Sequence, residues 1–142
     1  PKVIEYNCRF GDPETQVVLP LLESDLLEIM ISVQKGTLSE TEVKFKNGHA
    51  CCVVMASDGY PSAYGKGFEI TFDNGTDGIF SAGTTLDNGV LKTSGGRVLG
   101  VTDIGSTLEE AIEKAYKKVK TVHFDNAFYR KDIGQKALKA EV

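Results

Sequence analysis

No run of apolar residues in the sequence is long enough to cross a membrane. The apolar runs, such as residues 17–22, fall far short of the roughly 20 residues that a spanning helix needs. An excess of positive charge is also lacking, because Lys and Arg total 16 against 20 Asp and Glu, a net charge of −4. Such a chain has no global attraction for nucleic acid or anionic lipid, so we expect neither a nucleic-acid nor a membrane partner.

Cysteine and histidine are scarce, and their spacing matches neither a disulfide framework nor a metal-binding motif. The three cysteines are Cys8, Cys51 and Cys52, an odd count in which the adjacent pair would point to opposite faces of a strand and could not form a bridge. Free thiols are typical of a reducing compartment, which predicts a cytoplasmic protein. His49 and His123 have no cysteine or histidine neighbour at metal-ligand spacing, and no nucleophile-elbow pattern is present.

The composition is otherwise that of a small globular protein. Hydrophobic residues make up 41% and charged residues 25% of the 142 positions, enough for one compact domain with a buried core. The chain starts at Pro1 and becomes strand-like from residue 2 onwards. A natural domain rarely begins inside a strand without a lead-in, so we expect further sequence upstream.

Helical patterns are predicted at about residues 14–22, 25–35, 108–122 and 133–139. Gly36 is expected to end the second of these helices. The third is the clearest, because Ser106 and Thr107 are both candidate caps and one apolar face recurs at helical spacing behind them.

Strand patterns are predicted at residues 2–6, 49–57, 67–72, 78–82, 90–93 and 97–102. The run at residues 49–57 is continuously apolar, which suggests burial on both faces. Asp87, Asn88 and Gly89 form the clearest hairpin turn. A strand, two helices, a cluster of short strands and one long helix favour an α+β fold over alternating α/β units.

The sharpest cluster of polar residues lies at the start of the chain. On a strand, Glu5 and Asn7 would share one face, since side chains alternate with a period of two. A carboxylate and an amide oxygen side by side suit Mg²⁺, and Arg9 continues the alternation with a group that suits phosphate or carboxylate. From spacing alone, a solvated strand edge is the favoured alternative.

A second cluster surrounds two adjacent glycines. Gly95 and Gly96 would let the backbone approach a ligand and offer its N–H groups, and Arg97 would add a fixed charge. The segment is not a P-loop, because the Gly-Lys-Ser/Thr ending is absent. A glycine-rich hairpin turn explains the same residues equally well.

Beyond these clusters, the string PKVIEYNCRFGDPETQ at residues 1–16 resembles the end of the ATP-grasp domain of the glycinamide ribonucleotide synthetase family. Later segments fit the same family in order: GYP at residues 59–61, AGT at 82–84, TSGGRVL at 93–99 and FYRKDIG at 128–134. The resemblance covers essentially the whole chain. Its opening motif is specific, because no general rule of folding requires that string.

The resemblance implies an ATP-dependent carboxylate–amine ligase of purine biosynthesis. The family phosphorylates glycine to an acyl phosphate, which the amine of 5-phosphoribosylamine attacks to give glycinamide ribonucleotide, ADP and phosphate. ATP is thus a co-substrate, and Mg²⁺ or Mn²⁺ the expected metal.

The resemblance also assigns roles to individual residues. Glu5 and Asn7 would bind the metal that carries the ATP phosphates, and Arg9 would be the catalytic group that stabilises the transferring phosphate. The implied substrate-binding residues are Asp12, Lys92, Gly95, Gly96 and Arg97, of which Asp12 would contact the amine or ribose. Arg97 and the Gly95–Gly96 backbone would hold the phosphate of the phosphoribosyl group, with Lys92 assisting.

For the fold, the resemblance implies that residues 1–36 end an ATP-grasp domain and that residues 37–142 form a small, β-rich, barrel-like domain with one long helix. The family's long amino-terminal portion, with the adenine pocket and another metal-binding carboxylate, is not in this chain. We therefore expect the isolated chain to be inactive, because catalysis by positioning needs all these groups together.

Two alternatives remain open. One is a free-standing, non-catalytic module whose β-rich domain binds a phosphorylated sugar. The other is a different ATP-grasp ligase of the purine pathway with a similar terminal domain and a different substrate.

Overall fold

The computed structural model describes residues 1–140. The helices of this part are α1 (Thr15–Val18), α2 (Leu26–Lys35), α3 (Leu108–Val119) and α4 (Gln135–Leu138), with 3₁₀ turns at Leu19–Leu21 and Leu38–Glu40. Its strands are β1 (His49–Ser57), β2 (Thr71–Phe72), β3 (Ile79–Ser81), β4 (Thr84–Asp87), β5 (Val90–Thr93), β6 (Arg97–Gly105), β7 (Val122–His123) and β8 (Ala127–Tyr129). Helices and strands are both present and every strand pairing is antiparallel.

The centre of the fold is a four-stranded sheet in the order β3-β6-β1-β8. Its long pair, β1 and β6, runs in register from His49 opposite Gly105 to Met55 opposite Leu99. The register is well defined because Val53 and Val101, which face each other, are both fully buried, and a slip of one residue would expose them.

Helix α3 covers one face of this sheet. Its buried residues are Ala111, Ile112, Ala115 and Val119, and their helical spacing is the apolar face that the sequence predicts. They pack with β1 and β6 into one core. The other face of β1 is only half-buried at Cys52 and Val54, so the burial expected on both faces of this strand is complete on one face alone.

The remaining strands form two small two-stranded sheets, β2 with β7 and β4 with β5. Between β4 and β5, Asn88 and Gly89 have φ of 49° and 83°, the positive values that a type I′ hairpin turn requires. Within residues 1–140 the three sheets are separate and none closes on itself. The expected barrel-like shape is therefore not confirmed.

Residues 1–45 contribute little to the core, since Gly11 is the one buried position among them. The strand predicted at residues 2–6 is wrong: residues 1–13 contain neither helix nor strand, and Ile4 is 99% exposed. The physical reason is that a strand needs a partner, and no described strand pairs with this segment. Within residues 1–140, no helix is both long and apolar enough to span a membrane.

The two helices of this region differ in how closely they follow the sequence. The helix predicted at residues 14–22 divides into α1 and a 3₁₀ turn that contains Pro20, because proline lacks the N–H that a continuous α-helix needs. Helix α2 agrees with the prediction. The Asp25 carboxylate accepts hydrogen bonds from the N–H groups of Leu27 and Glu28, and Gly36, with φ of 72°, ends it.

Candidate functional site

Two residues predicted to bind substrate meet in the structure although they lie 85 positions apart. Arg97, at the start of β6, donates from Nη2 to Asp12 Oδ2 at 3.1 Å and from Nη1 to the Asp12 carbonyl oxygen at 3.4 Å. The two side chains are 43% and 52% exposed, respectively. This ion pair links the opening motif to the glycine-rich turn, and we call the surface around it the Arg97 site.

The glycine-rich turn lies between β5 and β6 and is held by the end of β1. Ser57 donates from its backbone N–H to the Gly96 carbonyl at 2.8 Å and from Oγ to the Gly95 carbonyl at 3.2 Å. The Gly95 N–H donates to the Gly83 carbonyl at 3.0 Å, so it is already engaged within the fold. The Gly96 N–H makes no hydrogen bond to residues 1–140, and Gly96 itself is buried.

Gln16 is a third member of the Arg97 site. Its Nε2 donates to Asp12 Oδ1 at 2.9 Å, while its Oε1 is buried without a hydrogen-bond partner in the described chain. Gln16 and Arg97 both line a small cavity of about 10 Å³ over Gly100. Sequence reasoning missed this residue, although its position four residues after Asp12 in a predicted helix was a usable signal.

Lys92 is not part of the Arg97 site. Its Nζ lies 2.7 Å from Asp87 Oδ2, so its charge is balanced within the hairpin of β4 and β5. The assisting role that the resemblance implies for Lys92 stays a prediction, and it would require Lys92 to leave Asp87.

Glu5, Asn7 and Arg9 lie in the extended opening segment, with exposed side chains. Asn7 and Arg9 line a hollow of about 600 Å³ together with Phe10, Glu14 and Met30. Glu5 does not line it, and Arg9 donates from Nη1 to the Phe10 carbonyl at 2.9 Å. Asn7 and Arg9 therefore share the lining of one hollow, and Glu5 lies two residues before Asn7 on the same exposed segment.

The donor set at Glu5 and Asn7 suits a divalent cation in chemistry but is not a complete site. Mg²⁺ commonly takes one or two carboxylates and completes its shell with substrate phosphates and water. Glu5 supplies one carboxylate and Asn7 one amide oxygen. Within residues 1–140, no group of three or more His, Cys, Asp or Glu side chains is placed to hold a metal. These two residues fit a metal only if phosphates or other residues supply the remaining ligands.

Residues 50–136 match the sequence model of a family described as "Phosphoribosylglycinamide synthetase, C domain". The chain belongs to this family. The match begins inside β1 and ends inside α4, so the phosphoribosylglycinamide synthetase C domain includes the central sheet, α3 and the glycine-rich turn of the Arg97 site.

Individual relatives of the phosphoribosylglycinamide synthetase C domain extend the likeness to nearly the whole chain. The chain is 50% identical over 134 residues to phosphoribosylamine–glycine ligase of Clostridium acetobutylicum, covering 94% of this chain and 32% of the relative. It is 50% identical over 143 residues to the trifunctional purine biosynthetic protein adenosine-3 of Homo sapiens, covering 97% and 14%.

A solved structure shows the same fold. The crystal structure of phosphoribosylamine–glycine ligase from Thermotoga maritima matches with a TM-score of 0.74 and 41% identity, over 94% of this chain and 33% of that one. The chain thus spans about a third of the length of the separate ligases that it matches.

The adjacent thiols of Cys51, which is buried, and Cys52, which is half-buried, are not activated as nucleophiles. Burial raises the pKa of the Cys51 thiol from 9.0 to about 11, with the neighbouring Cys52 adding to the shift. Burial likewise raises the pKa of Cys52. Both thiols are therefore protonated at neutral pH, whereas a nucleophilic cysteine needs a lowered pKa.

Proposed function

We propose that the chain is the carboxyl-terminal part of a phosphoribosylamine–glycine ligase, which joins glycine to 5-phosphoribosylamine through a glycyl phosphate at the expense of ATP. The observation that carries this proposal is the Arg97–Asp12 ion pair, which joins the opening motif to the glycine-rich turn of the C domain. The relatives at about 50% identity, a phosphoribosylamine–glycine ligase and a trifunctional purine biosynthetic protein, favour this ligase over another purine-pathway ligase.

In this proposal Glu5 and Asn7 bind Mg²⁺ or Mn²⁺, with phosphate oxygens of ATP as further ligands. When bound, the ion neutralises charge on the transferring phosphoryl group. Arg9 precedes Asp12 by three residues. Its planar guanidinium can donate two parallel hydrogen bonds to the oxygens of a phosphoryl or acyl phosphate group. The exposure of all three side chains leaves them accessible to such a ligand.

The Arg97 site is proposed to bind the phosphoribosyl substrate. Arg97 keeps N–H groups that make no hydrogen bond to residues 1–140, and the Gly96 N–H is also unengaged. Charged and backbone donors of this kind are typical of phosphate sites. Asp12 holds Arg97 and presents a carboxylate to the amine or ribose, with Gly95 shaping the turn.

We further propose that residues 1–36 complete an ATP-grasp domain whose larger part lies in the amino-terminal portion of the longer protein, and that residues 37–142 are the C-terminal domain. Exposed apolar side chains support an interface here, and the most exposed of them are Val3, Ile4, Tyr6, Leu27, Met30 and Val33. Hydrogen bonds join residues 21–24 to residues 42–46, so the contacts of the first unit continue to Lys46.

The three cysteines are all free thiols, which favours a location in the reducing cytoplasm.

A chimera provides the test. The matched part of the Clostridium acetobutylicum ligase is replaced by this chain, and ADP release is measured with Mg-ATP, glycine and 5-phosphoribosylamine. We expect release that requires both substrates. Glu5→Gln should lower it by about 100-fold, because even residues that only orient metal ligands are worth roughly 10- to 100-fold. The isolated chain should release no ADP above background.

Glu40→Gln is the matched control, since Glu40 is an exposed carboxylate in the same region with no hydrogen bond from its side chain to residues 1–140. An equal loss of activity in both variants would contradict the metal role of Glu5. ADP release that ignores glycine would contradict the ligase. An inactive chimera together with tight binding of ribose 5-phosphate by the isolated chain would favour the non-catalytic phosphosugar-binding module.

A further inference from the structure

The carboxylate of Asp12 is held from both sides. Oδ1 accepts a hydrogen bond from Gln16 Nε2 at 2.9 Å, and Oδ2 accepts one from Arg97 Nη2 at 3.1 Å. Such a carboxylate cannot turn about its Cβ–Cγ bond without losing one of these bonds. The direction of the Arg97 guanidinium therefore depends on Gln16, although the two residues make no direct hydrogen bond.

The amide of Gln16 is oriented for Asp12 at the expense of its own hydrogen bonding. Its Oε1 is buried and has no partner among residues 1–140, which destabilises the fold. Turning the amide over would bring Oε1 against the negative Asp12 carboxylate, so the observed orientation is the one that serves the ion pair. Stability alone would favour an apolar side chain of similar length, because the stem of Gln16 already lies over Gly100.

We propose that Gln16 is a positioning residue that fixes, through Asp12, the guanidinium of Arg97 for the phosphate of the substrate. This inference rests on the phosphate-binding role given to Arg97 under the proposed function. The guanidinium is engaged by Asp12 through Nη1 and Nη2, and the side chain of Arg97 stays 43% exposed. A guanidinium held in this way loses less freedom when it binds phosphate.

The experiment uses the 142-residue chain with Gln16→Met, which keeps the length of the side chain and removes the amide. Nitrogen-15 NMR measures rotation about the Nε–Cζ bond of Arg97, and thermal unfolding measures stability. We expect rotation to become about three- to tenfold faster, the factor that one ordinary hydrogen bond is worth. The unfolding midpoint should stay unchanged or rise, because a buried unpaired oxygen is removed. A merely structural role would lower the midpoint.

Gln34→Met is the matched control, since Gln34 is exposed on α2, and it should leave both readouts unchanged. A titration with ribose 5-phosphate completes the test. Its dissociation constant should rise about three- to tenfold in Gln16→Met and stay constant in Gln34→Met.

Unchanged rotation of Arg97 in Gln16→Met would overturn the inference, as would faster rotation with a matching fall in the midpoint. Gln16→Met could show faster rotation with an unchanged midpoint while the wild-type chain fails to bind ribose 5-phosphate. The faster rotation would then support the positioning of Arg97, and the failure to bind would overturn the phosphate contact of the proposed function.

Discussion

The aromatic ring of Tyr60 lies against the backbone of Gly96, so closely that a Cβ at this position would overlap the ring. Gly95 makes a similar approach to Gly83, where an added Cβ would come within 2.9 Å of the Gly83 Cα. At the scale of single residues, glycine is required at both positions because any Cβ would collide with a neighbouring ring or backbone. The turn that carries Arg97 is thereby packed closely against two other loops.

Gly96→Ala should destabilise the chain by about 1–3 kcal/mol, the usual cost of forcing extra atoms into a well-packed site. Urea unfolding measures the change. Gly75→Ala is the control, because an added Cβ at Gly75 meets no atom within 4 Å. Equal stability of the two variants would show that Tyr60 moves aside freely.

The first turn of α3 illustrates how an element is stabilised by its ends. Thr107 caps the helix by accepting a hydrogen bond from the Glu110 N–H at 3.1 Å. Glu110 accepts from both the N–H and the hydroxyl of Ser106 at 2.6 Å, and its Oε1 lies 2.8 Å from Lys114 Nζ. The Lys114 and Ser106 hydrogen bonds lower the pKa of Glu110 from 4.5 to about 2.

Because the pKa of Glu110 is lower in the folded chain, its contribution to stability is present above about pH 4.5 and is lost as the pH falls towards 2. Glu110→Gln should therefore make the unfolding midpoint less dependent on pH across this range. Thermal unfolding at a series of pH values measures this. Glu109→Gln, at the exposed neighbouring position, should retain the wild-type dependence. A wild-type profile in Glu110→Gln would refute the assignment.

At the scale of the whole molecule, the two parts of the chain differ in how they are held. The core is built from β1, β6 and α3, whereas residues 1–45 are half-buried or exposed at every position except Gly11. Segments with few buried contacts open locally at a low free-energy cost.

Hydrogen exchange followed by mass spectrometry should show this difference. In the isolated chain, amides of residues 1–13 should exchange fastest, and those of β1 and β6 should be the most protected. In the chimera with the amino-terminal portion of the Clostridium acetobutylicum ligase, residues 1–35 should gain protection, because their exposed apolar side chains become covered. Equal protection in both proteins would contradict an interface at these residues.

Local signals in the sequence were enough to predict several elements. Asp25 and Gly36 mark the ends of α2 because a cap and a left-handed glycine act within one turn. Asn88 and Gly89 mark a hairpin for the same local reason. The bounds of β1 also agree with the prediction, and the resemblance named from the opening motif is the family that residues 50–136 match.

Tertiary contacts decided the rest. Residues 2–6 have the composition of a strand but no strand to pair with, and β4, which the sequence analysis missed, forms through its pairing with β5. The meeting of Asp12 and Arg97 bridges 85 positions. The sequence by itself determined which groups could bind a phosphate and where α2 ends, since these depend on residue type and near neighbours. Which of those groups meet was decided only by the folding of distant segments onto one sheet.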